Sequence, residues 1–291
     1  MVHHLMHSAA YIWQNPGWFV ARLYTRMRPP LWWRTLLGWV LPPWTGTSKF
    51  RSLYVVTYGR SGSTLVNGYL SHLPGVDLKG ENYLFPLPLA DAEARLADAV
   101  ALKYGGRDKP ASPWYGSHQF STIQWKRDIR RALFNQLYPF SPIPKTVGFK
   151  EIRWWYRLDE SDFEQKLQWL IAVRKPGAIV FLTRNLDKTM AGAWWAKQSE
   201  DERAKSRAGL EKFERLALAY AAAHPDHSVH ITYEDFCADS GAAKRINRML
   251  GMKFKEDVYK QVLGERYSYK STAEDAAIAA AKDAAAGRTE A

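Results

Sequence analysis

The chain alternates between short apolar runs and longer stretches whose apolar positions recur every three or four residues. Leu53–Tyr58 (LYVVTY) is a β-branched and aromatic run, which predicts a buried strand. A Gly-containing turn, GRSGS, follows it, and a helix is expected from Thr64 to His72, stopping near Pro74 and Gly75. Asp91–Leu102 reads as a helix ended by Gly105 and Gly106. Ser121 with Gln124 has capping-box spacing and predicts a helix over Ser121–Leu137. Thr146–Ile152 (TVGFKEI) predicts a strand, and Ser161 with Glu164 predicts a second capping box opening a helix to Arg174. Ala178–Thr183 (AIVFLT) is the clearest buried strand. Helices over Asp187–Lys197 and Glu200–Ala223 are expected next, then a strand at Val229–Tyr233. A short amphipathic helix, Gly241–Leu250, is closed by Gly251.

Strands that alternate with helices predict an α/β fold: a three-layer arrangement with a central, mainly parallel sheet flanked by helices. Two segments stand apart from this rhythm. Residues 1–50 are rich in Trp and Pro, with helical pieces expected at Ala9–Met27 and Leu31–Val40. Residues 273–291 form an Ala-rich, polar tail with no assigned role. The expected organisation is therefore an N-terminal extension (1–50), a main domain (51–272) and a tail (273–291).

Composition narrows the class. With 291 residues, 46% hydrophobic and 24% charged, the chain is globular rather than disordered or fibrous. One cysteine, Cys237, excludes an internal disulfide framework and a thiolate-rich zinc site. No run of 18 apolar residues predicts a membrane span. The start lacks a charged segment followed by an apolar block, so no secretory signal is expected, and a cytoplasmic location follows.

The net charge of +12 is uneven: the first 76 residues hold seven Lys or Arg, and no acid occurs before Asp77. A basic surplus points to an anionic partner. For residues 1–48, with six Trp among them, the expectation is peripheral membrane contact, indoles at the headgroups and Arg near phosphates; the bland alternative is a helical extension packed on the domain or used in a homodimer.

The chemistry concentrates in YGRSGST, which follows a strand and opens a helix. Gly59 and Gly62 permit a tight turn that brings backbone N–H groups close to an anion. Ser61, Ser63 and Thr64 add hydroxyls, the helix N-terminus adds partial positive charge, and Arg60 adds a full charge able to pair bidentately with a phosphate. The spacing is not GxxxxGK[ST], so a magnesium-dependent ATPase or GTPase is disfavoured. Nor is it the GxSxG nucleophile elbow.

GRSGST after a strand resembles the 5′-phosphosulfate loop of sulfotransferases that use 3′-phosphoadenosine 5′-phosphosulfate (PAPS), and most of all the carbohydrate-type and bacterial branch. LTRNLDKTMAGAWWAK resembles the family's 3′-phosphate motif, and HITYEDF followed by INRMLGM its later strand–helix unit. The resemblance spans Leu53–Lys270 and implies a P-loop-like fold, PAPS as donor, no metal, and a hydroxyl acceptor that is a saccharide or glycolipid. It implies that Arg60, Ser61, Gly62, Ser63 and Thr64 hold the phosphosulfate and that Arg184 holds the 3′-phosphate. The family's usual Ser eight positions after that Arg is Gly192 here, with Lys188 or Thr189 as substitute donors. Glu81 fits the slot of the general base that takes the acceptor's proton. Glu151 is the runner-up; Asp77 is set aside as part of a turn. Lys150, with Arg153 beside it, would neutralise charge on the transferring group. Lys270 and Ser271 would close over the adenosine phosphate. Of the pairs Trp154–Trp155 and Trp194–Trp195, at most one member each is expected to face the cleft and stack on a sugar. The histidines lack metal-ligand spacing, and His224, His227 and His230 are expected at the surface. The rivals are a nucleotide-dependent phosphotransferase of related fold and a non-catalytic anion or nucleic-acid binder; no nucleic-acid-binding signature supports the latter.

Overall fold

The structure is a computed structural model that describes residues 48–101, 108–138, 146–157, 160–192 and 194–265. The expected N-terminal helices, Lys270, Ser271 and the Ala-rich tail lie outside the described residues. Five strands, β1 (Ser52–Val56), β2 (Val76–Lys79), β3 (Thr146–Glu151), β4 (Gly177–Thr183) and β5 (Ser228–Thr232), form one sheet in the order β2-β3-β1-β4-β5. Every pairing is parallel; Val56 lies beside Glu151 on one side and Phe181 on the other. The expected α/β fold with a parallel central sheet is what the chain adopts.

Side chains alternate across a strand, so an uninterrupted apolar run must be covered on both faces. Leu53 and Val55 of β1, with Val180 and Leu182 of β4, pack on one face against α1 (Ser63–Ser71) and α9 (Gly241–Leu250). Tyr54 and Val56, with Ile179 and Phe181, pack on the other against α5 (Glu160–Val173) and α7 (Glu200–Ala223). The remaining helices are α2 (Leu87–Ala101), α3 (Thr122–Leu137), α4 (Trp154–Arg157), α6 (Leu186–Met190), α8 (Tyr233–Ala238) and α10 (Glu256–Gly264). The chain leaves β1 for one face through α1 and leaves β4 for the other through α7. Parallel sheets open a crevice at such a reversal, at the carboxyl ends of the strands.

Four local expectations are corrected. Val76–Lys79 is a strand, so Asp77 lies in β2 and not in a turn. Ser161 is inside α5, which begins by Glu160, so it does not cap the helix; Glu164 instead meets His224. At Ser121 only half the box forms: its hydroxyl accepts from the Gln124 N–H, while the Gln124 amide donates to Asp128. The helix expected over Asp187–Lys197 is broken into α6 and a 3-10 turn at Trp195–Lys197, with Gly192 in the break. Glycine is a poor helix former, and the Trp195 indole is fixed elsewhere, donating to the Gly59 carbonyl at 3.2 Å. A full capping box does form at Ser199 and Glu202, at the head of α7.

Candidate active site at the strand ends

Consecutive strands present their polar residues in a row along one edge of the sheet. At the end of β1 the loop runs Gly59-Arg60-Ser61-Gly62 into α1. Arg60 (φ 68) and Gly62 (φ 84) are left-handed, while Ser61 between them is not. Left-handed residues flanking an ordinary one are a backbone pattern found in anion nests, where successive N–H groups turn toward one concavity. Gly62 is also the N-cap of α1, and no side chain caps it. Space constrains both glycines: a Cβ at Gly59 would overlap the Trp194 indole, and one at the left-handed Gly62 would overlap the Tyr233 ring.

The three hydroxyls of the loop differ in position. Ser61 is fully buried; its Oγ lies 2.7 Å from the Thr57 hydroxyl, which also lies 2.7 Å from the Leu182 carbonyl. Thr57 has one proton and the carbonyl can only accept, so Ser61 donates to Thr57. Its side chain thus ties the loop to β4. Ser63 is buried, whereas Thr64 and Arg60 are exposed.

Arg184 follows β4. Its Nη1 donates to the Arg60 carbonyl at 3.1 Å, and its guanidinium lies 4.5 Å from the centre of the Tyr233 ring. Its Nε is buried and has no hydrogen-bond partner among the described residues. The Arg184 N–H donates to the Tyr58 hydroxyl at 2.7 Å, which lies 2.6 Å from Glu214. Burial, followed by the hydrogen bond to Glu214, pushes the Tyr58 phenol far above its ordinary range, so it stays neutral. Gly192 reaches the same place: a Cβ there would lie 4.0 Å from Arg60 Nε and 3.8 Å from its nearest neighbour, the Thr189 carbonyl. A serine would therefore fit at position 192, where this chain has glycine. Lys188 is exposed on α6 and Thr189 is buried.

On the other side of β1, the ends of β2 and β3 meet. Lys150 is buried to 7% exposure, and its Nζ donates to Glu81 Oε1 at 2.7 Å. Arg153 Nη1 donates to Glu81 Oε2 at 3.2 Å and to Glu151 Oε1 at 2.8 Å. Arg153 also forms an antiparallel backbone β-bridge with Tyr58, the residue before the Gly59–Gly62 loop. Glu81, Lys150, Arg153, the loop, Arg184 and Tyr233 are thus linked strand by strand.

Glu151 does not sit as a base would. It is fully buried, and both oxygens are occupied: Oε2 accepts from the N–H groups of Asn82 and Leu84, and Oε1 from Ile152 N–H and Arg153. This carboxylate holds the Glu81 loop to β3. Within the tryptophan pairs, Trp154 and Trp195 are core, Trp155 is half-buried, and Trp194 is 45% exposed beside the loop. None of the three histidines expected at the surface is exposed: His224, His227 and His230 are all half-buried, His224 with its ring centre 4.4 Å from that of Tyr220 and His230 with Nε2 2.9 Å from the Thr183 hydroxyl. Sequence reading missed the roles of Glu151, Tyr233 and Trp194. An acid beside Lys150 at the end of the strand run TVGFKEI was the available sign for Glu151.

No family model and no curated protein sequence matches the chain. Among solved structures it is similar to the sulfotransferase domain of the Synechococcus PCC 7002 olefin synthase, at 17% identity and a TM-score of 0.48 over 79% of this chain and 82% of that one. It is similar also to the sulfotransferase domain from the curacin biosynthetic pathway, at 13% identity and a TM-score of 0.43 over 76% of this chain and 80% of that one.

Proposed function

We propose that the chain is a sulfotransferase that moves a sulfonyl group from PAPS to a hydroxyl acceptor, a saccharide or glycolipid. The observation that carries this is the row of linked groups at the strand ends: an anion nest at the head of α1, a guanidinium with an unpartnered Nε beside it, and a Lys-paired carboxylate one strand away. The two cationic groups, Arg60 and Arg184, suit a donor that carries phosphate at both the 5′ and the 3′ positions. The loop and Arg60 hold the phosphosulfate; Arg184 holds the 3′-phosphate.

The reaction needs no covalent enzyme intermediate. Glu81 takes the proton of the acceptor hydroxyl as the new O–S bond forms. The bond from sulfur to the bridging phosphate oxygen breaks in line, and its electron pair stays on that oxygen. Backbone N–H groups of the loop and Arg60 stabilise this charge. Lys150 has two ammonium protons beyond the one given to Glu81, and these serve the sulfonyl oxygens. A metal is not required for any of these steps.

The test is transfer of radiolabelled sulfonyl from PAPS to a panel of hydroxylated saccharides and glycolipids. Incorporation by the wild-type chain that Glu81→Gln abolishes supports the reading. No incorporation into any member, or undiminished incorporation by Glu81→Gln, contradicts it. For residues 1–48, peripheral membrane contact is proposed, and liposome co-sedimentation with and without the segment tests it; equal binding removes the proposal.

A further inference from the structure

We propose that Tyr83 is the platform on which the acceptor lies, and that the acceptor carries its hydroxyl on a ring with an apolar C–H or π face. This rests on the sulfotransferase reading and deepens it.

The loop after β2 reads Gly80-Glu81-Asn82-Tyr83-Leu84. Tyr83 (φ 65) and Leu84 (φ 57) are both left-handed, and neither is glycine. Two consecutive L-residues hold that conformation only when their surroundings impose it. Glu151 imposes it here. Its Oε2 accepts from Asn82 N–H at 2.9 Å and from Leu84 N–H at 3.0 Å, while Asn82 Oδ1 also accepts from Leu84 N–H at 3.1 Å.

The turn then sends its two side chains in opposite directions. Leu84 enters the core, and Tyr83 stands outward at 70% exposure. The Tyr83 ring rests on Arg153, with the guanidinium carbon 4.0 Å from the ring centre. The same guanidinium donates to Glu81. The ring therefore stands one guanidinium away from the carboxylate that receives the acceptor's proton. A glycine would satisfy this backbone better than a tyrosine does, so what the position adds is the ring. Stacked on a cation and open to solvent over most of its surface, it offers a flat, preorganised face to a sugar or a phenol. A flexible alkyl alcohol gains little there.

Saturation-transfer NMR tests this without turnover. The probes are methyl glucoside, nitrophenol and, as a ring-free hydroxyl, butanol, each measured with and without adenosine 3′,5′-bisphosphate. The variants are Tyr83→Phe, which keeps the ring, and Tyr83→Gly, which removes it and relaxes the left-handed backbone, so that it folds at least as well as the wild type. Wild type and Tyr83→Phe should bind at least one ring probe more tightly than butanol, and Tyr83→Gly should bind that probe about tenfold more weakly. Methyl glucoside or nitrophenol as the preferred probe separates a sugar from an aromatic acceptor. Unchanged ring binding in Tyr83→Gly, or a wild type that prefers neither ring, overturns the proposal. Failure of the sulfotransferase reading shows separately, as no stabilisation of the wild type by the bisphosphate.

Discussion

Lys150 Nζ lies 2.7 Å from Glu81 Oε1, across the ends of two adjacent strands, and Lys150 is buried whereas Glu81 is half open to solvent. The buried ammonium fixes where the carboxylate points. Replacing Lys150 by Met removes that restraint and, on the proposed mechanism, two donors for the transferring group, while Arg153 still holds Glu81. The expected result is a fall in kcat of about 100-fold or more, with stabilisation by adenosine 3′,5′-bisphosphate retained. Steady-state kinetics paired with thermal unfolding checks both halves.

Glu151 and Glu81 should separate cleanly by stability. Glu151→Gln cannot accept from all four donors that the carboxylate now satisfies, and an unsatisfied buried donor costs about 1–3 kcal/mol. Its melting temperature should drop, and transfer should fall with it as the Glu81 loop loosens. Glu81→Gln leaves Lys150 an acceptor but removes its counter-charge, so it should lose transfer with a smaller loss of stability than Glu151→Gln. The opposite pattern would make Glu151 the chemical group.

Gly62→Ala meets two separate obstacles: a left-handed backbone and the Tyr233 ring. The backbone costs about 1–2 kcal/mol and the crowding about 1–3 kcal/mol. In the double variant with Tyr233→Ala only the crowding is relieved. A double-mutant cycle by denaturant unfolding should show positive coupling; purely additive losses would place the ring elsewhere.

His230 gives the fold a pH dependence. Burial first, then Arg245, holds its pKa below the ordinary 6.5, with Asp235 opposing. The unfolded chain therefore binds the proton first as pH falls. Stability from this group is full above 6.5 and declines from there down to the folded value. Melting temperatures of Glu- and Asp-containing proteins fall in acid for other reasons as well, so the comparison is with His230→Gln. That variant should show a shallower loss as the pH falls below the ordinary histidine value of 6.5; an unchanged slope would exonerate His230.

The sequence carried the sheet because its strands are buried on both faces, which leaves apolar runs such as AIVFLT with no other reading. It carried α7 and α9 to the residue, since Ser199 caps one helix and Gly251, at φ 70, ends the other. β2 was hidden because four residues, VDLK, are too few to show a period. The break at Gly192 was hidden because it depends on where the Trp195 indole is anchored, a contact 136 residues away in the chain. The loop's tight turn was legible from its glycines, but the inward turn of Ser61 was not, because Thr57 and Leu182 decide it. Glu151 and Glu81 both sit at strand ends with basic neighbours, and only burial tells the structural acid from the open one.

The central claim is that the strand-end crevice takes a nucleotide with phosphates at the 3′ and 5′ positions. A ligand that binds only the folded chain at about 100 times its Kd adds about 2.7 kcal/mol, or a rise of about 5 °C or more in melting temperature for a domain of this size. Thermal unfolding with adenosine 3′,5′-bisphosphate, against ATP plus magnesium, measures it directly. The account predicts that the bisphosphate stabilises the chain, that ATP with magnesium does so far less, and that Arg184→Ala removes most of the difference. No shift with the bisphosphate, or an equal shift with ATP and magnesium, would contradict it.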